Sequence, residues 1–155
     1  MKQTSLCYIE HDGKYLMMHR TKKKNDENSG KWIGVGGKFL EGESPEDCMK
    51  REVFEETGIE VSDWCYRGIV TFVSDLWETE HMHLFTAKSK SSQHHNCDEG
   101  ELKWIDKGKI LSLNLWEGDK IFLKLMEDEA RPFFSLKLVY CGDCLTESYL
   151  NGETL

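Results

Sequence analysis

The chain has 155 residues, a net charge of −8, and 39% hydrophobic and 11% aromatic residues. This length can bury one sizeable core, so we expect a single domain over residues 1–155. The acidic balance argues against binding polymeric nucleic acid, which requires a basic face. No apolar run approaches the ~20 residues of a membrane span, and no signal-peptide pattern opens the chain, so we expect no membrane association. Six cysteines without a secretory context favour reduced thiols in a cytoplasmic protein.

The amino-terminal segment predicts a β-hairpin, with strands over residues 3–9 and 15–18. A basic run follows from Arg20. Such a run is typical of a solvated loop, but it directly precedes an acidic motif, where a phosphate tail would need countercharge. We therefore predict that Arg20 contacts phosphate, and we give less weight to three further side chains, Lys22, Lys23 and Lys24.

A glycine-rich stretch from Lys31 to Lys38 comes next, and a loop that contains Gly36, Gly37 and Gly42 is predicted before the following helix. Its glycines allow the backbone to approach a ligand closely, and the carbonyl of Gly37 is a candidate ligand for a hard metal ion. Lys38 has two interpretations that the sequence leaves open. It either neutralises a phosphate or forms an ion pair with Glu41.

The residues after this loop predict a helix over Pro45–Thr57. Ser44 suits the N-cap, proline suits the first helical position, and Asp47 completes a capping box. Gly58 follows as the stop signal. A stripe of apolar side chains at helical spacing gives this helix a face that can dock on a core.

Three carboxylates share another face of the same helix, because Glu52 lies three residues before Glu55 and four before Glu56. Like charges at this spacing repel, so their presence indicates that a cation binds there. Oxygen ligands alone favour Mg²⁺ or Mn²⁺ over zinc. Arg51 is placed to pair with Glu55 at i,i+4 and hold it for the metal. The alternative is a solvated acidic helix on an acidic protein.

Beyond the helix, two strands are predicted over residues 66–73 and 82–87, separated by an acidic turn around Asp75 to Glu80. His81 and His83 alternate onto one strand face, a spacing compatible with metal binding. A lone histidine pair is more often exposed surface, and that is the interpretation we favour.

A turn at Asp98 and Glu99 then leads into a short strand, LKWI. An amphipathic helix follows over about Asp119 to Glu129. Asp119 either complements the dipole of this helix or contacts a nucleobase, since a carboxyl group can accept hydrogen bonds from a purine edge.

Residues 133–140 and 145–150 predict a closing hairpin around Gly142 and Asp143. The flanking Cys141 and Cys144 have the spacing of a zinc or redox pair, but no second pair accompanies them, so we favour a plain turn. Two helices and about seven strands make the chain a mixed α/β domain.

The helix and the loop before it carry a specific resemblance. Nine defined positions over 23 residues match the Nudix box, namely Gly37, Glu43, Arg51, Glu52, Val53, Glu55, Glu56, Gly58 and Ile59. The order of the outer motifs resembles MutT-type 8-oxo-dGTP diphosphatases. These motifs are GKWIGVGGK, the Glu99 loop, WEGD and FFSLKLVY.

This resemblance implies an α/β/α sandwich around a mixed sheet. It implies Mg²⁺-dependent hydrolysis of a nucleoside triphosphate to the monophosphate and pyrophosphate, with Mn²⁺ as a substitute metal, and so a small nucleotide as substrate. We expect a monomer or a homodimer. The implied metal ligands are Gly37, Glu52, Glu55, Glu56 and Glu99.

The resemblance also implies roles in the reaction. Glu52 or Glu99 removes a proton from water, and Arg51 orients Glu55. Glu43 tethers the loop to the helix, and Gly58 belongs to the structural motif. Glu99 is assigned because MutT-type members place a functional glutamate five residues before a strand tryptophan, here Trp104, with Glu101 as the fallback.

One departure concerns the base. Mammalian-type members place an asparagine, which reads the oxidised purine, where Ile33 stands here. Isoleucine cannot form side-chain hydrogen bonds, so base discrimination must depend on other groups. The candidates are Asp119, Trp116, Trp32 and backbone amides.

Three other functions fit the box. Hydrolases of ADP-ribose, dinucleoside polyphosphates and capped RNA share it, although the charge disfavours long RNA. An isomerase of prenyl diphosphates shares the implied fold, but the chain lacks the supporting cysteine and glutamate context. A non-catalytic nucleotide sensor is disfavoured because no box carboxylate is lost.

Overall fold

A computed structural model describes residues 1–21 and 26–155. These residues form ten strands, two α-helices and one short 3-10 helix. The strands are β1 (Lys2–His11), β2 (Lys14–His19), β3 (Trp32–Ile33), β4 (Val35–Lys38), β5 (Asp63–Ser74), β6 (Glu80–Lys88), β7 (Glu101–Asp106), β8 (Phe134–Cys141), β9 (Cys144–Leu150) and β10 (Glu153–Thr154). The helices are α1 (Pro45–Thr57), α2 (Glu117–Leu125) and the 3-10 helix Lys107–Ser112.

Strand β1 lies at the centre of a mixed sheet. It pairs antiparallel with β2 and β4 and parallel with β6. The sheet continues from β6 through β5, β8 and β9 to β10, and β5 pairs parallel with β8. Along residues 4–7, β1 is therefore flanked by β4 on one side and by β6 on the other.

The sheet buries a hydrophobic core on each face, as alternation along β1 requires. Leu6 and Tyr8 point into the core that includes Phe122 of α2. Cys7 and Ile9 point into the other core, which includes two apolar residues of α1, Met49 and Val53. One helix therefore covers each face, and the predicted α/β/α sandwich with a mixed sheet is confirmed.

Helix α1 has the predicted boundaries and caps. The backbone N–H of Asp47 donates to Ser44 Oγ, and the N–H of Ser44 donates to the Asp47 carboxylate, both at 3.1 Å. Gly58 ends the helix with a φ of 78°, a left-handed conformation that favours glycine. Local capping interactions thus determine where α1, the helix that carries the carboxylates, begins and ends.

The glycine-rich loop is the first difference from the sequence analysis. Gly36 and Gly37 lie in β4, which packs tightly against β1, and Gly42 lies in the turn that follows. A Cβ atom on Gly36 would lie 1.8 Å from the carbonyl oxygen of Ser5. Sequence patterns of alternating side chains do not detect such a strand, because two glycines in four residues leave little alternation to read.

Two further boundaries differ. The acidic turn was predicted to extend through Glu80, but Glu80 is the first residue of β6 and is buried. Helix α2 begins at Glu117, two residues before the predicted start, and ends at Leu125. The remaining predicted strands and the closing hairpin are present. The backbones of Cys141 and Cys144 lie opposite each other across the turn of this hairpin. Within the described residues, neither helix has the length and apolar character needed to cross a bilayer.

Candidate active site

A cavity of about 660 Å³ opens between the amino-terminal strands, α1 and the start of α2. It collects residues that lie far apart in the sequence. Of the predicted site residues, those that line it are Arg20, Gly37, Lys38, Glu52, Glu56, Glu99, Trp116 and Asp119. Ile33, the residue that departs from the family pattern, also lines the cavity.

Arg51 connects the carboxylates at the edge of the site. Its guanidinium donates to both oxygens of Glu43, at 2.7 and 2.9 Å. It also donates to Glu52 at 2.7 Å and to Glu55 at 3.2 Å. The pairing with Glu55 confirms the prediction, but the shorter contacts are with Glu43 and Glu52. Arg51 therefore fixes the glycine-rich loop to α1, and it holds the pKa of the Glu43 carboxyl below its usual value.

Glu56 is the most perturbed of the helix carboxylates. Burial raises its pKa to about 9, and the negative charge and shared hydrogen bond of Glu99 add to the shift. Its Oε2 atom is buried and, within the described residues, has no hydrogen-bond partner. Burial also raises the pKa of Glu52, against the opposing charge of Arg51. We call Glu52, Glu56 and Glu99 the box cluster.

Gly37 lies directly against this cluster. A Cβ atom at this position would meet the carboxylate atoms of Glu52 at 2.5 to 2.7 Å, so only glycine leaves the carboxylate its place. The cluster offers oxygen donors alone, one of them buried without a partner, and this donor set fits a hard divalent cation. Among residues 1–21 and 26–155, however, no three acidic, histidine or cysteine side chains already form a metal-binding group.

Two cations border the cavity. Arg20 is buried, donates to Glu99 at 2.8 Å, and forms an ion pair with Asp26, also at 2.8 Å. Lys38 forms no ion pair with Glu41 in the described structure, which leaves its phosphate interpretation open. Lys22, Lys23 and Lys24 lie outside the described residues.

Some predicted residues lie apart from the cavity. The Glu55 side chain is 58% exposed, is held by Arg51, and does not line the cavity. Trp32 stacks on His19 with ring centroids 4.4 Å apart and also does not line it. Glu101, the fallback for Glu99, is an exposed residue of β7.

The prediction that the two histidines of β6 are surface residues is wrong for His83. Its ring is buried, its Nε2 donates to Gln3 Oε1 at 2.8 Å, and it also bonds to the Tyr66 hydroxyl. His81 bonds to the other end of the same amide. The neighbouring strands determine whether a histidine of β6 is buried, and the sequence of β6 alone does not show which strands those are.

Close to Asp119, three polar residues on the cavity were not predicted, Lys2, Glu27 and Glu80. Lys2 Nζ lies 2.7 Å from Glu27 and 3.4 Å from Glu80, and Thr4 Oγ1 donates to Glu80 at 2.7 Å. Asp119 is buried nearby; burial raises its pKa to about 8, opposed by the positive charge of Lys31, and the negative charge of Glu80 adds to the rise. We call the residues Lys2, Glu27, Glu80 and Asp119 the Glu80 cluster. Only the alternation along β6 could have indicated that Glu80 faces inward.

Trp116 forms the apolar wall next to this cluster. Its indole packs edge-on against Phe72 and Tyr140, and its Nε1 donates to Asn28 at 2.9 Å. The Nζ atom of Lys31 lies 4.9 Å from the centre of its ring. The indole is thus fixed on several sides and forms a rigid part of the cavity lining.

Known proteins resemble the chain in both sequence and structure. The family model of the NUDIX domain matches residues 2–126. An oxidized purine nucleoside triphosphate hydrolase of Danio rerio is 32% identical over 132 residues, covering 84% of this chain and 82% of the relative. An uncharacterized Nudix hydrolase of Bacillus subtilis, YvcI, is 30% identical over 133 residues, covering 81% and 79%.

Solved structures agree with this result. The crystal structure of a MutT protein from Bacillus halodurans superposes with a TM-score of 0.85 at 25% identity, covering 99% of both chains. The family model covers most of the chain, and the box carboxylates, the arginine and the glycines occupy the positions described above. The chain therefore belongs to the Nudix hydrolase family.

Proposed function

We propose that the chain hydrolyses nucleoside triphosphates to the monophosphate and pyrophosphate, that the reaction depends on Mg²⁺ or Mn²⁺, and that oxidised purine nucleotides such as 8-oxo-dGTP are substrates. Family membership supports the hydrolysis. The activity for which the Danio rerio relative is named, oxidized purine nucleoside triphosphate hydrolase, supports the substrate.

One observation carries the proposal. Glu56 and Glu99 are adjacent carboxyl groups beside Glu52, on a cavity large enough for a nucleotide. Burial and mutual repulsion raise the pKa of Glu56 to about 9, so a cation is needed to keep this cluster ionised near neutral pH.

The residues that would hold the divalent ion are Glu52, Glu56, Glu99 and the Gly37 carbonyl, with Glu55 as a further ligand. When bound, the ion supplies positive charge that offsets the negative charge of the phosphate oxygens. Arg51 fixes the orientation of Glu52 through a 2.7 Å contact. Glu52 or Glu99 accepts the proton of the attacking water, since each has an oxygen atom beyond the one bound to arginine.

The remaining roles concern the rest of the substrate. Arg20 and Lys38 border the cavity and supply charge to the phosphate chain. Trp116 offers its face to the base, and Asp119 offers a carboxyl group whose pKa of about 8 allows it to donate as well as accept near neutral pH. Ile33 contributes apolar contact alone. Trp32 would act only indirectly, through the loop that contains it.

The test is product analysis by ion-exchange chromatography with Mg²⁺ and a substrate panel. The panel contains dGTP, 8-oxo-dGTP, dATP, ADP-ribose and a dinucleoside tetraphosphate. We expect monophosphate and pyrophosphate from the triphosphates, with 8-oxo-dGTP turned over at least as well as dGTP. Cleavage of ADP-ribose alone would contradict the substrate class, and binding without any product would indicate a sensor.

A further inference from the structure

The Glu80 cluster is not required to hold a metal ion or to activate water, yet it borders the same cavity as the box cluster. Glu80 is 8% exposed and Asp119 5% exposed, although both are carboxyl groups. Burying such groups is unfavourable unless a partner compensates. Within the described residues, the Asp119 carboxyl makes no hydrogen bond, and Glu27 Oε2 is buried without a partner. The cluster therefore has unused hydrogen-bonding capacity that faces a ligand cavity.

Glu80 is held in one orientation. Thr4 Oγ1 donates to its Oε2 at 2.7 Å, and Lys2 Nζ lies 3.4 Å from its Oε1. Burial raises the pKa of the Glu80 carboxyl, and the Thr4 hydrogen bond and the Lys2 charge oppose this rise by favouring the ionised form. In that form each carboxylate oxygen can accept a second hydrogen bond and cannot donate one. A ligand group that meets Glu80 must therefore present N–H or O–H donors. Lys2 also binds Glu27 at 2.7 Å, so its ammonium group is already engaged by protein carboxylates.

Apolar side chains line the cavity beside these acceptors. Trp116 and Phe72 pack edge-on with ring centroids 5.3 Å apart, and Ile33 and Met82 complete the wall. Apolar walls with a few polar groups are typical of a site for a planar ring. Among the bases of nucleotides, guanine carries two neighbouring donors on one edge, a ring N–H and an exocyclic amino group.

We propose that Glu80 is a specificity-determining residue that accepts a hydrogen bond from the exocyclic amino group of a guanine-type base, with Thr4 and Lys2 as its positioning residues. The inference rests on the proposed function, and it names the substrate class as nucleotides with a 2-aminopurine edge, oxidised or not. Asp119 then pairs with the neighbouring part of the same edge. Ile33 has no part in reading the base.

The test compares dGTP with dITP, which differ only in the exocyclic amino group. For the full chain with Mg²⁺, we expect kcat/KM to be about ten- to hundred-fold higher for dGTP, the range of a hydrogen bond to a charged group. Glu80→Gln keeps the size of the side chain and removes its charge. It should reduce that ratio to within about threefold of unity, chiefly by slowing dGTP.

Glu10→Gln is the matched control. Glu10 is also a strand glutamate in an ion pair with lysine, at 2.6 Å from Lys107, but it lies outside this cavity. It should leave the dGTP to dITP ratio unchanged. If Glu80→Gln does not fold, Thr4→Val, which is nearly isosteric and leaves the charge in place, should lower the ratio through loss of the 2.7 Å contact.

Equal kcat/KM for dGTP and dITP in the unaltered chain would overturn the inference. A preference for dGTP that persists in Glu80→Gln would overturn the role of Glu80. Binding of dGMP and dIMP, measured by titration calorimetry, makes the same comparison without turnover. A protein that binds dGMP over dIMP through Glu80 but hydrolyses no triphosphate would refute the proposed function and leave this inference standing.

Discussion

The box cluster and the Glu80 cluster border one cavity, but their charges are compensated differently. In the Glu80 cluster, Lys2 contacts two carboxylates directly. In the box cluster, arginines bind Glu52 and Glu99, and Glu56 is left with a buried oxygen that has no partner in the described chain. Each cluster thus has one buried carboxyl group without an ion pair in the described chain, Asp119 in the Glu80 cluster and Glu56 in the box cluster. Asp119 shares the cavity wall with Trp116, which suits an uncharged donor group on a flat ligand, whereas Glu56 lies beside two further carboxylates, an oxygen donor set that suits a metal ion. On the proposed function, the box cluster faces the phosphate end of the substrate and the Glu80 cluster faces its base.

The largest expected effect is at Glu56. Glu56→Gln should lower kcat by about 10³-fold, because it removes a group that stabilises charge in the reaction. The melting temperature at pH 8 should stay the same or rise, since burial penalises the ionised carboxyl in the free protein. Steady-state kinetics and calorimetry check this, with Glu46→Gln of the same helix as control. A parallel loss of activity and melting temperature would show that Glu56 is structural.

Next in size is the effect of Arg51→Lys. Lysine retains the charge but cannot form the two-oxygen contact with Glu43 while also holding Glu52. We expect kcat/KM to fall by about 10- to 100-fold, the usual range for residues that orient metal ligands. Lys50→Arg, one residue earlier in the helix, is the reverse exchange and should have little effect. Unchanged kinetics in Arg51→Lys would contradict the orienting role.

A smaller effect is the pH dependence of stability that Asp119 of the Glu80 cluster causes. The pKa of Asp119 rises from 3.8, the ordinary aspartate value expected in the unfolded chain, to about 8 in the fold, because burial disfavours the ionised form. Between these values the folded state holds a proton that the unfolded state has lost. Stability from this group is complete below pH 3.8 and is lost as the pH rises through about 8.

Asp119→Asn removes this dependence. The variant should have a higher free energy of unfolding than the unaltered chain, and this difference should grow by about 3.5 kcal/mol between pH 5 and pH 8, as measured by urea unfolding at both values. Glu117→Gln, an exposed acid in the same helical turn, should show no such growth. A constant difference at the two pH values would mean that Asp119 is ionised in the fold at pH 5.

The smallest effect concerns α1, the helix that carries Glu52 and Glu56. Ser44→Ala removes the side-chain acceptor of the N-cap and should lower the free energy of unfolding by about 1 kcal/mol. Ser44→Asp, which keeps a capping oxygen, should lower it less. Both variants should keep kcat within about twofold, since the tertiary contacts of Met49 and Val53 fix the helix on the sheet. A large fall in kcat would show that the cap itself positions the carboxylates.

Much of the box cluster was predictable because its geometry is local. The capping box and Gly58 define α1, and helical spacing alone puts Glu52 and Glu56 on one face. The resemblance to the Nudix box added Glu99, which lies 43 residues beyond Glu56 in the chain and which no local spacing connects to it. The structure gives less support to Glu55, because its side chain is 58% exposed and does not line the cavity, whereas Glu52 and Glu56 do.

The sequence by itself determined the family, the extent of α1 and the chemistry of its carboxylates, since these depend on contacts within a few residues. Only the tertiary structure decided that Glu80 is buried and that Lys2, Glu27 and Asp119 come together around it. These residues belong to β1, a loop, β6 and α2, and they meet because the sheet places β6 beside β1. Strand order is set by packing over the whole chain, and no short pattern records it.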